Sequence, residues 1–280
     1  MRDLDVSRIT EEVARLCVET NHRLGDDATA CLAARAAEED WAPAKEILKI
    51  IQENIDVASE GEFPLCQDTG MACVFLEVGQ EVHLTGGALE DAVNEGVRRG
   101  YEEGFLRKSI VSDPLERKNT GDNTPADINV RIVPGDKVKI VVAPKGFGSE
   151  NMGRIAMLPP SAGAEGVEDF VVETCRLAGA NPCPPIVVGV GIGGNFSRVA
   201  LLAKEALLDP LDGENEDPVY REMEERLLAR INELGIGPQG FGGRTTALKV
   251  NIRTAPTHIA GLPVAVNINC HVSRHGEVIL

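Results

Sequence analysis

A chain of 280 residues that is 43% hydrophobic has enough apolar material for one large domain or two closely joined ones, which excludes a disordered or fibrous protein. Its 28 Lys and Arg stand against 44 Asp and Glu, a formal net charge of −16, and this balance argues against a nucleic-acid or anionic-membrane surface and for small molecules or proteins as partners. The opening residues lack an apolar signal region and no run is long enough to span a bilayer, so a cytoplasmic setting is expected, where the seven cysteines stay reduced as buried hydrophobes or metal ligands.

Over 6–21 the apolar residues Ile9, Val13, Leu16 and Cys17 recur at helical spacing, and 31–58 reads as a second helical stretch, so roughly the first sixty residues are expected to be helical scaffold. Cys17 and Cys31 lie on those periodic faces and read as small core residues. A strand is expected over 71–78, with Cys73 in the core, and a helix over 87–103. The alternating segments 127–133 and 137–142 flank Pro134-Gly135-Asp136 and predict a β-hairpin. A Gly-rich loop at 145–151 precedes a helix over 165–178 that carries Cys175 on its apolar face, followed by a strand at 186–190. An acidic loop over 209–217 leads into an amphipathic helix that starts at Pro218 and stops at Gly235. Strands at 247–254 and 263–269 complete the pattern. Strands interrupted by helices at irregular intervals predict an α+β fold, a helical N-terminal scaffold with mixed or antiparallel strands and covering helices, read as a single domain over 1–280.

Three cysteines differ from the rest. Cys66 stands in Pro64-Leu65-Cys66-Gln67-Asp68-Thr69-Gly70, Cys183 is bracketed by Pro182 and Pro184, and Cys270 follows a strand and precedes His271. None sits on a helical apolar face. Thiolates from three stiff loops suit a soft-metal or iron–sulfur centre, and three ligands leave a metal position open for a catalytic oxygen. There is no CxxC pair and the separations match no short motif, so on spacing alone loop cysteines without a metal remain the alternative. Asp68 is equally readable as a turn-capping residue ahead of Thr69-Gly70.

Taken with Lys118-Asn119-Thr120-Gly121-Asp122-Asn123, Lys145-Gly146-Phe147-Gly148-Ser149, Cys183-Pro184-Pro185 and Gly242-Gly243-Arg244, the Cys66 motif resembles class I fumarase, and more closely the α subunit of the two-subunit iron–sulfur hydro-lyases, fumarate hydratase and L-tartrate dehydratase. The motifs span nearly the whole chain in the family's order. The resemblance implies a 4Fe–4S cluster on Cys66, Cys183 and Cys270, with substrate bound at the iron that lacks a thiolate. It implies reversible hydration of fumarate to L-malate, or L-tartrate dehydration as the alternative, with Asp68 in an acid–base or orienting role. Gln67, Asp68, Arg107 and the backbone of Gly146-Phe147-Gly148 are the implied substrate contacts, Arg for its two-pronged grip on a carboxylate and the glycine-rich segment for its N–H groups. The resemblance also implies a separate β subunit, in an assembly such as α2β2, supplying the residues that single-chain members carry in a C-terminal domain. One departure is expected to matter: after Gly242-Gly243-Arg244 this chain has Thr245-Thr246-Ala247, without the histidine of single-chain members.

Two rivals need no such family. Gly189-Val190-Gly191-Ile192-Gly193-Gly194 satisfies G-x-G-x-x-G between a strand and a helix, the pattern of a dinucleotide-binding turn, although the expected second parallel strand with an acidic end is not evident after it. A non-catalytic scaffold within an enzyme complex is the other.

Overall fold

The computed structural model describes residues 1–61 and 63–280. In chain order they form β1 (Arg2–Asp5), α1 (Val6–His22), α2 (Asp26–Glu38), α3 (Ala42–Ser59), β2 (Met71–Gly79), β3 (Val82–Thr85), α4 (Leu89–Glu103), β4 (Asp127–Val133), β5 (Val138–Lys145), the short α5 (Phe147–Glu150), β6 (Arg154–Leu158), α6 (Gly163–Ala178), β7 (Ile186–Gly193), α7 (Phe196–Ala206), α8 (Pro218–Asn232), β8 (Ala247–Ala255), β9 (Leu262–Asn269) and β10 (Gly276–Ile279). The fold is α+β, as the residue pattern predicts, and it divides into two compact units.

The first unit comprises Met1–Gly25, Ile55–Phe147 and Arg274–Leu280. Its four-stranded sheet has the order β10-β5-β2-β4, and β1 pairs separately with β3 in parallel. Asp5 caps α1 by accepting from the Ser7 N–H, and the helix then buries Ile9, Val13, Leu16 and Cys17 on one stripe. That stripe packs with Val93, Val97 and Tyr101 of α4 and with Ala72, Val74, Leu76, Ile140 and Val142 of the sheet in one core. The predicted hairpin over 127–142 does not form. Strand β2 lies between its two arms, parallel to β4 and antiparallel to β5. Turn 134–136 instead closes over the end of β2, where the N–H groups of Gly79, Gln80 and Glu81 donate to the carbonyls of Lys137, Val133 and Gly135. Local alternation specifies strands but not which strand pairs with which, and a buried β2 with six of nine residues inside is a better partner for both arms than either arm for the other.

The second unit comprises Asp26–Asn54 and Gly148–Ser273. Its sheet has the order β6-β9-β7-β8, with β7 parallel to β8 and antiparallel to β9. Helices α6 and α8 bury Val167, Val171, Cys175, Met223, Leu227 and Ile231 against β7, β8 and β9. Helix α7 brings Val199 and Ala203 against Ala265 of β9. The expected continuous helix over 31–58 is two helices. Pro43 fits only the first turn of a helix, and the Glu39 carboxylate accepts the Trp41 N–H where the chain breaks. The Gly-rich stretch 145–151 is likewise more ordered than a loop, being the end of β5 and α5. Four short strands, β1, β3, β6 and β10, lie outside every sequence expectation, since four or five residues carry too little periodicity to register.

Gly189 and Gly191 of the G-x-G-x-x-G run are strand residues, and Gly194 directly follows the end of β7. Strand β7 is buried along its whole length, and Cβ atoms built on Gly189 and Gly191 would stand 2.2 Å from the Ala203 carbonyl oxygen and 2.3 Å from that of Val199. Their role is to let the backbone of α7 lie directly on the sheet. A Gly191→Val substitution is therefore expected to destabilise the chain by about 3 kcal/mol through overpacking, read as a lower denaturant midpoint with an unchanged m-value; an unchanged midpoint would show that α7 is free to move off the sheet.

Candidate active site

The Cys66 turn belongs to the first unit and runs from α3 into β2. Because Met71 of β2 pairs with Lys145 of β5, the turn and the segment that follows Lys145 emerge at the same end of the sheet. The Leu65 N–H donates to the Asn21 carbonyl, and Leu65 itself is buried. Three consecutive carbonyls of the turn are then held by buried side chains. Arg274 Nη2 donates to the Asp68 oxygen at 2.5 Å, Tyr101 Oη to those of Thr69 at 2.7 Å and Gly70 at 3.0 Å, and Asn123 Nδ2 to Gly70 at 3.2 Å. Thr69 Oγ1 donates to the Arg107 carbonyl at 3.0 Å, which ties the Arg107 segment to the turn. Gly70 has φ 77, and a Cβ there would lie 2.8 Å from the Lys145 backbone, so both conformation and space demand glycine.

Asp68 uses both carboxylate oxygens. Oδ1 accepts the Gly70 N–H at 3.1 Å, the turn-capping contact, and Oδ2 accepts the Phe147 N–H at 2.9 Å. The Phe147 N–H, expected to meet a substrate carboxylate, thus serves Asp68, and Gly146 leaves room for this, with a hypothetical Cβ 3.3 Å from Oδ2. Cys66 Sγ donates to Gln67 Oε1 at 3.3 Å. Two hydrogen-bonded pairs, Cys66 with Gln67 and Asp68 with Phe147, thus sit in one turn, with Gly146 beside Asp68 and the Arg107 backbone tied on through Thr69; the Arg107 side chain is exposed. Gly148 opens a stretch of the second unit, near the Asn181 carbonyl.

In the second unit, topology brings two other sequence-predicted residues to one place. Strands β7 and β9 pair antiparallel with Val187 opposite Asn269, so the loop entering β7, with Cys183, and the loop leaving β9, with Cys270, share one sheet end. The His271 N–H donates to the Cys183 carbonyl at 3.4 Å, and His271 Nδ1 lies 3.0 Å from the same oxygen and 3.1 Å from Gln239 Nε2. Gln239 donates twice to the Pro184 carbonyl, from its backbone N–H at 2.7 Å and from Nε2 at 2.9 Å. Cys183 and Gln239 both adopt left-handed backbone conformations, φ 54 and φ 53. Non-glycine residues enter that region at a cost, and they concentrate where the surrounding structure fixes a functional geometry. The Gly242-Gly243-Arg244 motif packs on the break between α2 and α3: the Arg244 N–H donates to the buried Glu39 carboxylate at 2.9 Å, and its guanidinium pairs with Asp40.

The seven thiols fall into two classes. Cys17, Cys73 and Cys175 are buried, and burial pushes the thiols of Cys17 and Cys175 up to about 12 and raises that of Cys31, half-buried on α2. Such thiols stay protonated and are poor ligands. Cys66 and Cys270 are half-buried and Cys183 exposed, all three in loops.

A fumarate hydratase (Fumerase) family model matches residues 10–279. The chain belongs to that family. It is 40% identical over 274 residues to a putative L(+)-tartrate dehydratase subunit alpha of Methanocaldococcus jannaschii, with 95% of each chain covered. It is 34% identical over 279 residues to the L(+)-tartrate dehydratase subunit alpha of Escherichia coli O157:H7, covering 98% of this chain and 91% of that one, and 33% identical, with the same coverage, to that of strain K12. Membership in the fumarate hydratase family makes the chain a hydro-lyase.

Among the described residues no three His, Cys, Asp or Glu side chains converge as a single-ion site. An iron–sulfur cluster asks for something else, one thiolate per iron, and three loop cysteines distinct from the buried thiols are a donor set of that kind. Of the residues that build the turn, Tyr101 and Arg274 were not legible as functional, and Asn123 was legible only as the last residue of the Lys118–Asn123 motif. Tyr101 reads as the apolar end of a helix and Arg274 as one charge among many, whose one signal is that it follows Cys270 by a few positions.

Alkylation of the folded chain with iodoacetamide at pH 8 is expected to modify Cys183 within minutes and to leave Cys17 and Cys175 intact, because a thiol displaced to about 12 is almost wholly protonated there. Peptide mass spectrometry reads the result; early labelling of Cys17 would contradict the burial assigned to α1.

Proposed function

We propose that this chain is the α subunit of a two-subunit iron–sulfur hydro-lyase, acting on a small dicarboxylate with Cys66, Cys183 and Cys270 as the thiolate ligands of a 4Fe–4S cluster. The observation that carries the proposal is the division of the thiols: three sit in loops held by side-chain and backbone hydrogen bonds, and the others lie on helices or a strand. Held on these three thiolates, a cluster would supply a Lewis acid for the hydroxyl that leaves as water.

The chain's own residues bind and orient. Once Cys66 is a thiolate it has no proton to give Gln67 Oε1, and the Gln67 amide is released to present its N–H groups to a substrate carboxylate. Arg107, exposed and joined to the turn through Thr69, supplies the cation for a carboxylate. Asp68, bonded through both oxygens to the Gly70 and Phe147 N–H groups, is held beside the cluster ligand for orienting or proton transfer. Gly146, Phe147 and Gly148 contribute backbone dipoles to the same region. The dinucleotide reading has less support, since the run is strand through Gly193 and its first two glycines face the backbone of α7.

Hydration of fumarate to L-malate is the first reading of the reaction. Dehydration of L-tartrate is the second, favoured by the names of the curated relatives. Those names also support a β subunit as partner; an assembly such as α2β2 and a cytoplasmic setting are part of the same proposal.

The test is iron and acid-labile sulfide per chain after anaerobic reconstitution, with the partner subunit present. Near-equal iron and sulfide are expected in the unmodified protein and in Cys73→Ser, and a loss of most of both in Cys66→Ser, Cys183→Ser and Cys270→Ser. Assays on fumarate and on L-tartrate then rank the two substrates. An unmodified complex that binds no iron would end the proposal.

A further inference from the structure

We infer that Arg274 is a positioning residue of the hydro-lyase: its buried guanidinium, seated on the Asp68 carbonyl, keeps the Cys66–Gly70 turn in the arrangement the reaction uses. The inference rests on the reading that this turn belongs to the active site.

Arg274 is 5% exposed, and Nη2 is the one nitrogen of its guanidinium with an acceptor among the described residues, the Asp68 oxygen. Nε and Nη1 are buried without one. A buried cation with two uncommitted donors is an expensive way to hold a single carbonyl. The neighbouring carbonyls show the cheaper solution, because those of Thr69 and Gly70 are held by the neutral side chains of Tyr101 and Asn123. What arginine adds at the Asp68 position is positive charge and reach. The turn it supports carries two potential anions, the Cys66 thiol and the Asp68 carboxylate, within three residues. A fixed cation under that turn stabilises negative charge placed on it, and because the cation is buried, solvent does not screen it away. The Asp68 carboxylate transmits the same restraint onward: with its carbonyl fixed by Arg274, its side chain holds the N–H groups of Gly70 and Phe147. Arg274 thus acts through Asp68 and does not itself touch substrate.

The experiment compares Arg274→Gln and Arg274→Lys with the unmodified full-length chain. Amide hydrogen exchange at Gly70 and Phe147 reads the turn without requiring activity, thermal melting reads the fold, and kcat and KM in the complex with the partner subunit read the reaction. For Arg274→Gln the expected result is an exchange rate at both amides raised about tenfold or more. Its kcat should fall by about 10- to 100-fold, the scale set by small misplacement of reacting groups, with KM nearly unchanged. Arg274→Lys, which keeps charge and a donor, should recover most of both. Parental exchange and parental kcat in a folded Arg274→Gln would overturn the inference. So would equal impairment of the two variants, which would make packing rather than charge and donation the role. If Arg274→Gln does not fold, Arg274→Lys decides alone: near-parental exchange supports the inference and exchange raised tenfold overturns it. A parent complex that takes up no iron would sink the cluster reading, and the exchange comparison would still decide whether Arg274 holds the turn.

Discussion

The placement of the Cys66–Gly70 turn depends on three consecutive peptide carbonyls bonded to buried side chains, Asp68 to Arg274, Thr69 to Tyr101, and Gly70 to Tyr101 and Asn123. An irregular segment has no ladder or helix to satisfy its backbone, and buried polar groups left without partners are costly. Here the satisfaction comes from residues far apart in sequence, so the turn can hold its shape only when α4, the loop before β4 and the segment ahead of β10 are all in place. Rigidity of a candidate site is bought by long-range contacts. The second unit solves the same problem at the Cys183 loop, where Gln239 and His271 converge on the carbonyls of Cys183 and Pro184.

Glycine is used in two different ways around these sites. At Gly70 it permits a left-handed backbone pressed against Lys145, while in β7 it removes side chains so that α7 can approach the sheet. The two uses look alike in a one-dimensional pattern. A G-x-G-x-x-G run after a strand carries the mark of a phosphate-binding turn, yet the distinguishing fact, whether the glycines face a ligand or a helix backbone, depends on where α7 packs.

Much of the fold was readable because its long elements obey one period over many residues. Helices α1, α4, α6 and α8 and strands β2, β7, β8 and β9 appear close to their expected positions, each having a buried stripe or a continuous apolar run. The hairpin expectation over 127–142 failed for a reason of topology: β4 and β5 both satisfy strand alternation, and their pairing is decided by the more fully buried β2 between them. The helical scaffold was similarly legible in its parts but not in its allegiance, since α1 packs in the first unit and α2 in the second.

The candidate site divides along the same line. Residue types and their local setting were enough to separate Cys66, Cys183 and Cys270 from the four thiols on helices or a strand, because loop cysteines flanked by proline or ending a strand break the periodicity those four obey. The family resemblance, not local pattern alone, marked Gln67, Asp68, Arg107 and the Gly146-Phe147-Gly148 segment as candidates. Sequence could not show that Asp68 binds the Phe147 N–H, that Cys183 and Cys270 lie at one end of the β7–β9 pair, or that Arg274 is buried with its guanidinium on Asp68. Those are consequences of strand pairing and of burial, quantities set by contacts between residues distant along the chain, and a side chain's chemistry is readable locally while its partners are not.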